Sequence, residues 1–302
     1  MTTMTESPQL TTESGALFLC GYALRIAVER GHLVVEDGAG QNRRSGRFSR
    51  VSPELERVVI LGRSGTVTLD ATAWLHDLGI PLIQIDHNGD LITVGVSRTV
   101  SDVNVRRGQA LANANGVGLK LVRSLLATKL EGQLSVALDL DADEELIEWI
   151  EDAIEALGGA TTIQELRFLE SRGADAYWRA WIGQEIHFPE SDLTHVPGHW
   201  IRYSGRRSPL SDSGRKAADP INAILNYLYA VLEAEATLSI LRVGADPGMG
   251  LLHADTNRRE SFALDLMEVA RPEVDAYVLD LIRSHTFSRS DFFETRDGNC
   301  RL

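Results

Sequence analysis

Along the N-terminal third of the chain, apolar and polar positions alternate in steps of two, the period of strands with one covered face. LFLCGYALRIAVERGHLVVEDGAG contains two apolar runs joined at Glu29-Arg30-Gly31, which predicts a hairpin. RVVILG, from Arg57 to Gly62, is an almost continuous β-branched run and reads as a strand covered on both faces. GTVTLD alternates, ATAWLHDLGI reads as a short amphipathic helix ending at Gly79, and PLIQID is a further strand. His87-Asn88-Gly89-Asp90 then turns the chain into LITVGV. Together these elements predict a small β-sandwich carrying one helix.

After Ser97 the period lengthens to that of helices, predicted over 105–131, 141–157, 162–182, 219–242, 257–270 and 273–284. Thr162 with Glu165 forms a capping-box pattern. Asp219-Pro220 marks a helix start, because proline lacks only an N–H that the first turn leaves unpaired. Gly244 and Pro247 mark a stop. The stretch 183–218, rich in Gly, Ser and Arg, is the one long break, and loops of that length usually carry function or move. The fold class is therefore α+β, with a β-rich domain at 16–98, an all-helical domain at 99–302, and a polar, disordered leader at 1–15 ahead of them.

Composition changes this picture little. The hydrophobic fraction of 43% suits a water-soluble globular protein, and no uninterrupted apolar run is long enough to predict a membrane span. Cys20 and Cys300, near opposite ends, make neither a disulfide framework nor a zinc set, so a reducing cytoplasm is the expected setting. Cys20 is expected to pack as a small apolar residue.

Charge changes it more. The net charge of −13 by itself argues against nucleic acid, yet residues 139–155 hold nine acids and no Lys or Arg; without them the rest of the chain carries −4. Elsewhere arginines cluster, at Arg43, Arg44, Arg47 and Arg50, at Arg106 and Arg107, at Arg202, Arg206, Arg207, Arg215 and Lys216, and at Arg258 and Arg259. Each cluster taken alone reads first as a solvated loop.

Candidate chemistry sits where the helical pattern is broken by charge. The inner stripe of the 162–182 helix runs through Leu166, residue 170, Gly173 and Tyr177, and residue 170 is Glu170. A carboxylate among core positions is costly unless it is paired or bound to a cation, and a glycine one turn on admits a close neighbour. Asp265 and Glu268, spaced i, i+3, share a helix face just after a turn-rich loop that carries His253. A solvated acidic face is the alternative. Carboxylates with one imidazole form a mixed oxygen and nitrogen set that suits Mn²⁺ or Mg²⁺. His187, His195 and His199 are a rival set for zinc, but Pro197 and Gly198 forbid a regular helix between the last two. No nucleophile elbow, phosphate-binding loop of the G-x-x-x-x-G-K-[ST] type or dinucleotide fingerprint occurs.

At these residues the sequence resembles the CRISPR-associated spacer-acquisition integrases, the endonucleases of the adaptation module. RVVILGRSGTVTLDATAWLHDLGIPLIQIDHNGDLI, ESRGADAYW, DPINAILNYLYAVLEAEA and GADPGMGLLHADTNRRESFALDLMEVARP carry the likeness in order, from about Leu17 to Leu302. The resemblance implies an N-terminal β-domain used for homodimerisation and a helical catalytic domain. It implies a metal site made by Glu170, His253 and Glu268, with Asp265 as a second acid nearby, and Mn²⁺ or Mg²⁺ as cofactor. It implies that a 3′-hydroxyl of a short DNA attacks a phosphodiester at a CRISPR repeat, and that a small second adaptation subunit bridges two dimers. Arg202, Arg206, Arg207, Arg215, Lys216, Arg258 and Arg259 become candidate phosphate contacts. The acidic 141–155 helix must then face away from DNA. Many members continue past the position of Leu302, and the loop at 204–218 is longer than usual. A stand-alone nuclease for branched DNA and a non-catalytic DNA-binding scaffold are the alternative functions.

Overall fold

The computed structural model describes residues 10–20, 22–38, 43–51, 54–86, 91–95, 102–205, 217–255, 259–296 and 298–302. The chain divides into two compact units, Met1–Ser101 with Leu241–Gly244, and Asp102–Ile240 with Ala245–Leu302.

The first unit comprises β1 (Ala16–Cys20), β2 (Leu24–Glu29), β3 (His32–Asp37), β4 (Arg44–Phe48), β5 (Arg57–Leu61), β6 (Gly65–Val67), α1 (Leu69–Asp77), β7 (Leu82–Ile85) and β8 (Leu91–Gly95). One four-stranded sheet has the order β1-β5-β7-β8 and the other β4-β3-β2-β6. The predicted hairpin joins β2 to β3 with Glu29 opposite His32. Arg30 and Gly31 both take positive φ, 51° and 81°, the twist that a two-residue hairpin needs. β5 lies between β1 and β7, parallel to both, with Val58, Val59 and Ile60 buried. Leu17, Leu19, Ile26, Leu33, Val35, Val58, Ile60 and Trp74 fill the core. Trp74 of α1 also satisfies its indole N–H on the Gly31 carbonyl oxygen, 3.1 Å away.

Three expectations need revision here. Leu10 is buried and donates its N–H to the Ser45 carbonyl oxygen, so residues 10–15 belong to the fold rather than to a leader. Cys20 is exposed, because β1 alternates and its turn falls on the open face. Three members of the first arginine cluster are engaged locally, Arg43 with Glu36, Arg44 with the fully buried Asp37, and Arg50 with Asp77. The His87–Asp90 turn lies outside the described residues.

The second unit comprises α2 (Val103–Leu111), α3 (Val117–Asp139), α4 (Glu144–Ala156), α5 (Ile163–Ala180), α6 (Glu190–Leu193), α7 (Pro220–Arg242), α8 (Ser261–Met267), α9 (Arg271–Ser284), β9 (Phe293–Glu294) and β10 (Cys300–Arg301). The single helix predicted over 105–131 is two. The chain breaks ahead of Gly116, whose φ of 78° ends α-helical geometry, and α3 then runs on to Asp139. The capping box on α5 is formed by both Thr162 and Glu165. Asp219 caps α7 by accepting from the Asn222 backbone N–H and side-chain amide, each at 2.8 Å. Burial pushes the Asp219 carboxyl up to about 6, against the lowering effect of those bonds.

α7 is the core helix of this unit. By length and composition it is apolar enough to cross a membrane, and half of its most apolar window is buried inside the protein. Asn222, Asn226, Glu233 and Glu235 interrupt its apolar sequence, which is why no unbroken run announces it. Around it Tyr177, Trp181, Trp200 and Tyr203 are fully buried. Trp181 meets Tyr177 nearly edge-on, with ring centroids 6.4 Å apart.

Candidate metal centre

The acidic centre forms where α3 meets α5 and the corner between α8 and α9. Two glycines permit that meeting. A side chain at Gly173 of α5 would lie 2.7 Å from Leu130 Cδ2 of α3, and one at Gly132 of α3 would lie 2.7 Å from Cβ of Pro272. Pro272, in the first turn of α9, stops α8 from running on and leaves Glu268 at the corner. Lys129, one turn before Gly132, is thereby brought between the two acidic elements.

The result is a buried charge network. Lys129 is 6% exposed and Glu268 3% exposed, so neither charge is solvated. Lys129 Nζ lies 2.7 Å from Glu268 Oε2 and also pairs with Glu170 Oε1. Arg271 Nε lies 3.2 Å from the other Glu268 oxygen. Burial alone would raise the Glu268 carboxyl, but the Lys129 and Arg271 charges outweigh it and hold the group below its ordinary range. Burial alone would lower the Lys129 amine, and the Glu268 and Glu170 charges hold it above its ordinary value. Glu268 and Lys129 are therefore both ionised at neutral pH. Glu268 Oε2 is buried against the Lys129 ammonium, which occupies only one of its lone pairs. It has a lone pair to give to a cation.

Asp265 has none to spare. Its carboxylate is fully buried. Oδ2 accepts from the backbone N–H groups of Leu251 and Leu252 at 2.5 and 2.9 Å. Oδ1 accepts from the His253 backbone N–H at 2.8 Å and faces His253 Nδ1 at 2.7 Å. Burial opposes ionisation here, but the His253 ring and the three backbone donors win and hold the carboxyl below its usual value. A carboxylate opposite Nδ1 requires the proton on Nδ1, so in the neutral ring Nε2 is the nitrogen that carries the lone pair. The loop that carries His253 is held by α2 and α5. Gln109 bonds the backbone of Asp246 and Met249, and the Arg167 guanidinium bonds the Leu252 carbonyl oxygen.

Among the described residues, no three His, Cys, Asp or Glu side chains close round a common point. Between Glu170 and Glu268 that point is taken by Lys129 Nζ. The donors nevertheless fit a hard divalent ion: two carboxylates that already converge on one cation, and an imidazole whose Nδ1 is held by Asp265.

The remaining candidates separate from this centre. His199 Nε2 pairs with Glu294 at 2.7 Å and His195 Nδ1 meets Thr194 Oγ at 3.0 Å, so the three histidines do not converge. Arg202 pairs on the surface with Glu185. Arg259 bonds Ser261 Oγ and the Ala254 carbonyl oxygen, which ties down the His253 loop. Arg206, Arg207, Arg215, Lys216 and Arg258 lie outside the described residues.

The family profile described as CRISPR associated protein Cas1 matches residues 17–302. The chain belongs to the Cas1 family. It is 28% identical over 297 residues to a CRISPR-associated endonuclease Cas1 of Archaeoglobus fulgidus, covering 95% of this chain and 83% of that one. It is 30% identical over 279 residues to one from Pyrobaculum aerophilum, covering 88% and 82%. Among solved structures, a casposase bound to its integration product superposes with a TM-score of 0.78 at 26% identity, over 95% of this chain and 78% of that one. A Cas6-RT-Cas1–Cas2 complex shares the fold, with a TM-score of 0.70 at 19% identity, over 96% of this chain and 31% of that one.

Sequence reading missed Lys129 and Arg271. The signal for Lys129 was present. It falls on the α3 stripe of Val122, Leu126, Leu130 and Val136, where an unpaired ammonium could not be buried.

Proposed function

We propose that this Cas1 chain is a metal-dependent DNA integrase and endonuclease of CRISPR adaptation, with Glu170, His253 and Glu268 as metal ligands. The observation that carries this reading is the convergence of carboxylates from α5 and from the α8–α9 corner on one cation, beside a histidine whose tautomer Asp265 fixes. Cas1 nucleases depend on a metal ion in general. Carboxylate oxygens with one imidazole suit Mn²⁺ and Mg²⁺ alike.

In the proposed reaction the 3′-oxygen of an incoming DNA end forms a bond to a repeat phosphorus. The bond from that phosphorus to the repeat strand's own 3′-oxygen breaks, and the proton of the attacking hydroxyl ends on the departing oxygen. A bound divalent ion supplies charge to the phosphate and to the leaving oxygen. Glu170, Glu268 and His253 Nε2 would hold that ion. Asp265 orients His253 and is a positioning residue. Arg271 neutralises Glu268 from the side away from Lys129. No side chain needs to form a covalent intermediate, which agrees with the absence of a nucleophile motif.

DNA is the proposed substrate, in line with the casposase and its integration product. The basic 202–216 stretch and Arg258 are proposed phosphate contacts, with Arg259 instead shaping the loop. A homodimer through the β-rich unit and a Cas2-type subunit bridging two dimers are proposed partners, in line with the resemblance and the Cas1–Cas2 assembly above.

The test is strand transfer. Short duplexes with free 3′-hydroxyls are mixed with a repeat-bearing plasmid, with and without Mn²⁺. The expected result is metal-dependent joined product, lost in Glu170→Ala, His253→Ala and Glu268→Ala. Product in excess chelator would refute metal dependence, and cleavage without joining would replace integrase by nuclease.

A further inference from the structure

Lys129 has a place in the site that no ligand role explains. The chain holds only three lysines, Lys120, Lys129 and Lys216, among thirty basic residues. At this buried point it uses the compact, rotatable ammonium rather than the arginine fork it uses elsewhere. That ammonium touches Glu268 and Glu170, which come from elements far apart in sequence. The local charges also balance. Glu170 and Glu268 carry two negative charges, and Lys129 and Arg271 carry two positive ones. A divalent ion entering the same carboxylates meets an ammonium already bound to both.

We propose that Lys129 is the resident cation of the carboxylate pair: it holds Glu170 and Glu268 together and competes with the divalent ion for them. The proposal rests on the reading of Glu170 and Glu268 as metal ligands. Two carboxylates facing each other without a cation repel, and Glu268, which is buried, is poorly solvated as well, while Glu170 is half-buried. A tethered ammonium removes that repulsion, so α3, α5 and the α8–α9 corner stay docked. The same contact lowers divalent affinity, because the ion must displace the Lys129 Nζ or share its oxygens. An arginine could serve the first purpose but would withdraw less readily from a bidentate grip.

The test measures Mn²⁺ binding to the intact chain by calorimetry, with no DNA present, in wild type and Lys129→Met. Thermal unfolding without metal is followed beside it. The expected result is a Kd lower in Lys129→Met by about tenfold or more, the size expected when a buried ion pair no longer has to be broken. The metal-free variant should also have a lower Tm, restored by Mn²⁺ to a larger extent than in wild type. Lys129→Gln serves as a second variant, with the same direction expected. An unchanged or weaker Kd in the variants, with binding still lost in Glu268→Gln, overturns the competition while leaving the metal reading intact. No binding by any form overturns both. A measurement on wild type alone gives the same decision if the variants do not fold. In lysine-labelled protein only three side-chain signals arise, and the Lys129 signal should move on saturation with Mg²⁺. A Lys129 signal unmoved at saturation overturns the proposal.

Discussion

Asp265→Asn is the substitution that probes the site's construction most closely, because it changes one atom and almost no volume. The wild-type carboxylate accepts from four donors, two on each oxygen. An amide has one oxygen, so its NH₂ must face the other pair. If the oxygen stays with Leu251 and Leu252, the NH₂ meets the His253 backbone N–H and Nδ1. The ring can then be satisfied only by moving its proton to Nε2, which removes the lone pair a metal needs. If the amide turns round, His253 keeps its tautomer and two backbone donors are left facing an NH₂. Each buried donor left unsatisfied costs about 1–3 kcal/mol, so the first arrangement should lower unfolding free energy by about 1–3 kcal/mol and the second by about 2–6 kcal/mol. The first arrangement should also weaken Mn²⁺ binding by roughly 10–100-fold, the usual effect of losing the partner that orients a ligating histidine. Urea unfolding and Mn²⁺ calorimetry measure the two effects. A stability change below about 0.5 kcal/mol with unaltered Mn²⁺ affinity would refute the reasoning, since such a change is no more than that of an ordinary surface substitution.

Other expectations follow from neighbouring features. The Asp219 carboxyl titrates at about 6 in the folded chain, above its unfolded value, so the folded state binds the extra proton in that window. Stability should therefore be greatest below the unfolded value and fall as pH rises through about 6, by at most about 3 kcal/mol; Asp219→Asn, which can keep the cap, should flatten this limb in urea melts at several pH values. Gly250→Ala would drive a methyl into the His253 carbonyl oxygen and to 2.7 Å from Ser261 Cβ, so it should cost about 1–3 kcal/mol and weaken metal binding together. Gly132→Ala should destabilise more than Gly173→Ala in the same unfolding assay, because the first meets the rigid Pro272 ring and the second a movable leucine methyl.

Much of the architecture was legible because local chemistry decides it. The Arg30-Gly31 hairpin, the Thr162 capping box and the Asp219-Pro220 start depend on residues within one turn of each other. Glu170 stood out for the same reason, as an acid in a stripe that should be apolar. The break between α2 and α3 was also written in the sequence, as Asn115-Gly116, but was overridden by apolar spacing on both sides. What could not be read is what buries Asp265 and Glu268. A solvated acidic face and a buried one have the same spacing. The choice is made by the backbone of Leu251–His253 for Asp265 and by Lys129, more than a hundred residues upstream, for Glu268. By its contacts Asp265 has both oxygens occupied by donors and Glu268 does not, a distinction that the i, i+3 pattern does not contain.

The most direct test of the account is a crystal of the chain grown with Mn²⁺ and measured near the manganese absorption edge. The account predicts one anomalous peak per protomer, bound by Glu170, Glu268 and His253 Nε2, with Asp265 still on the backbone of residues 251–253. A peak bound by Asp265, a peak at His195 or His199, or no peak at saturating Mn²⁺ would contradict it.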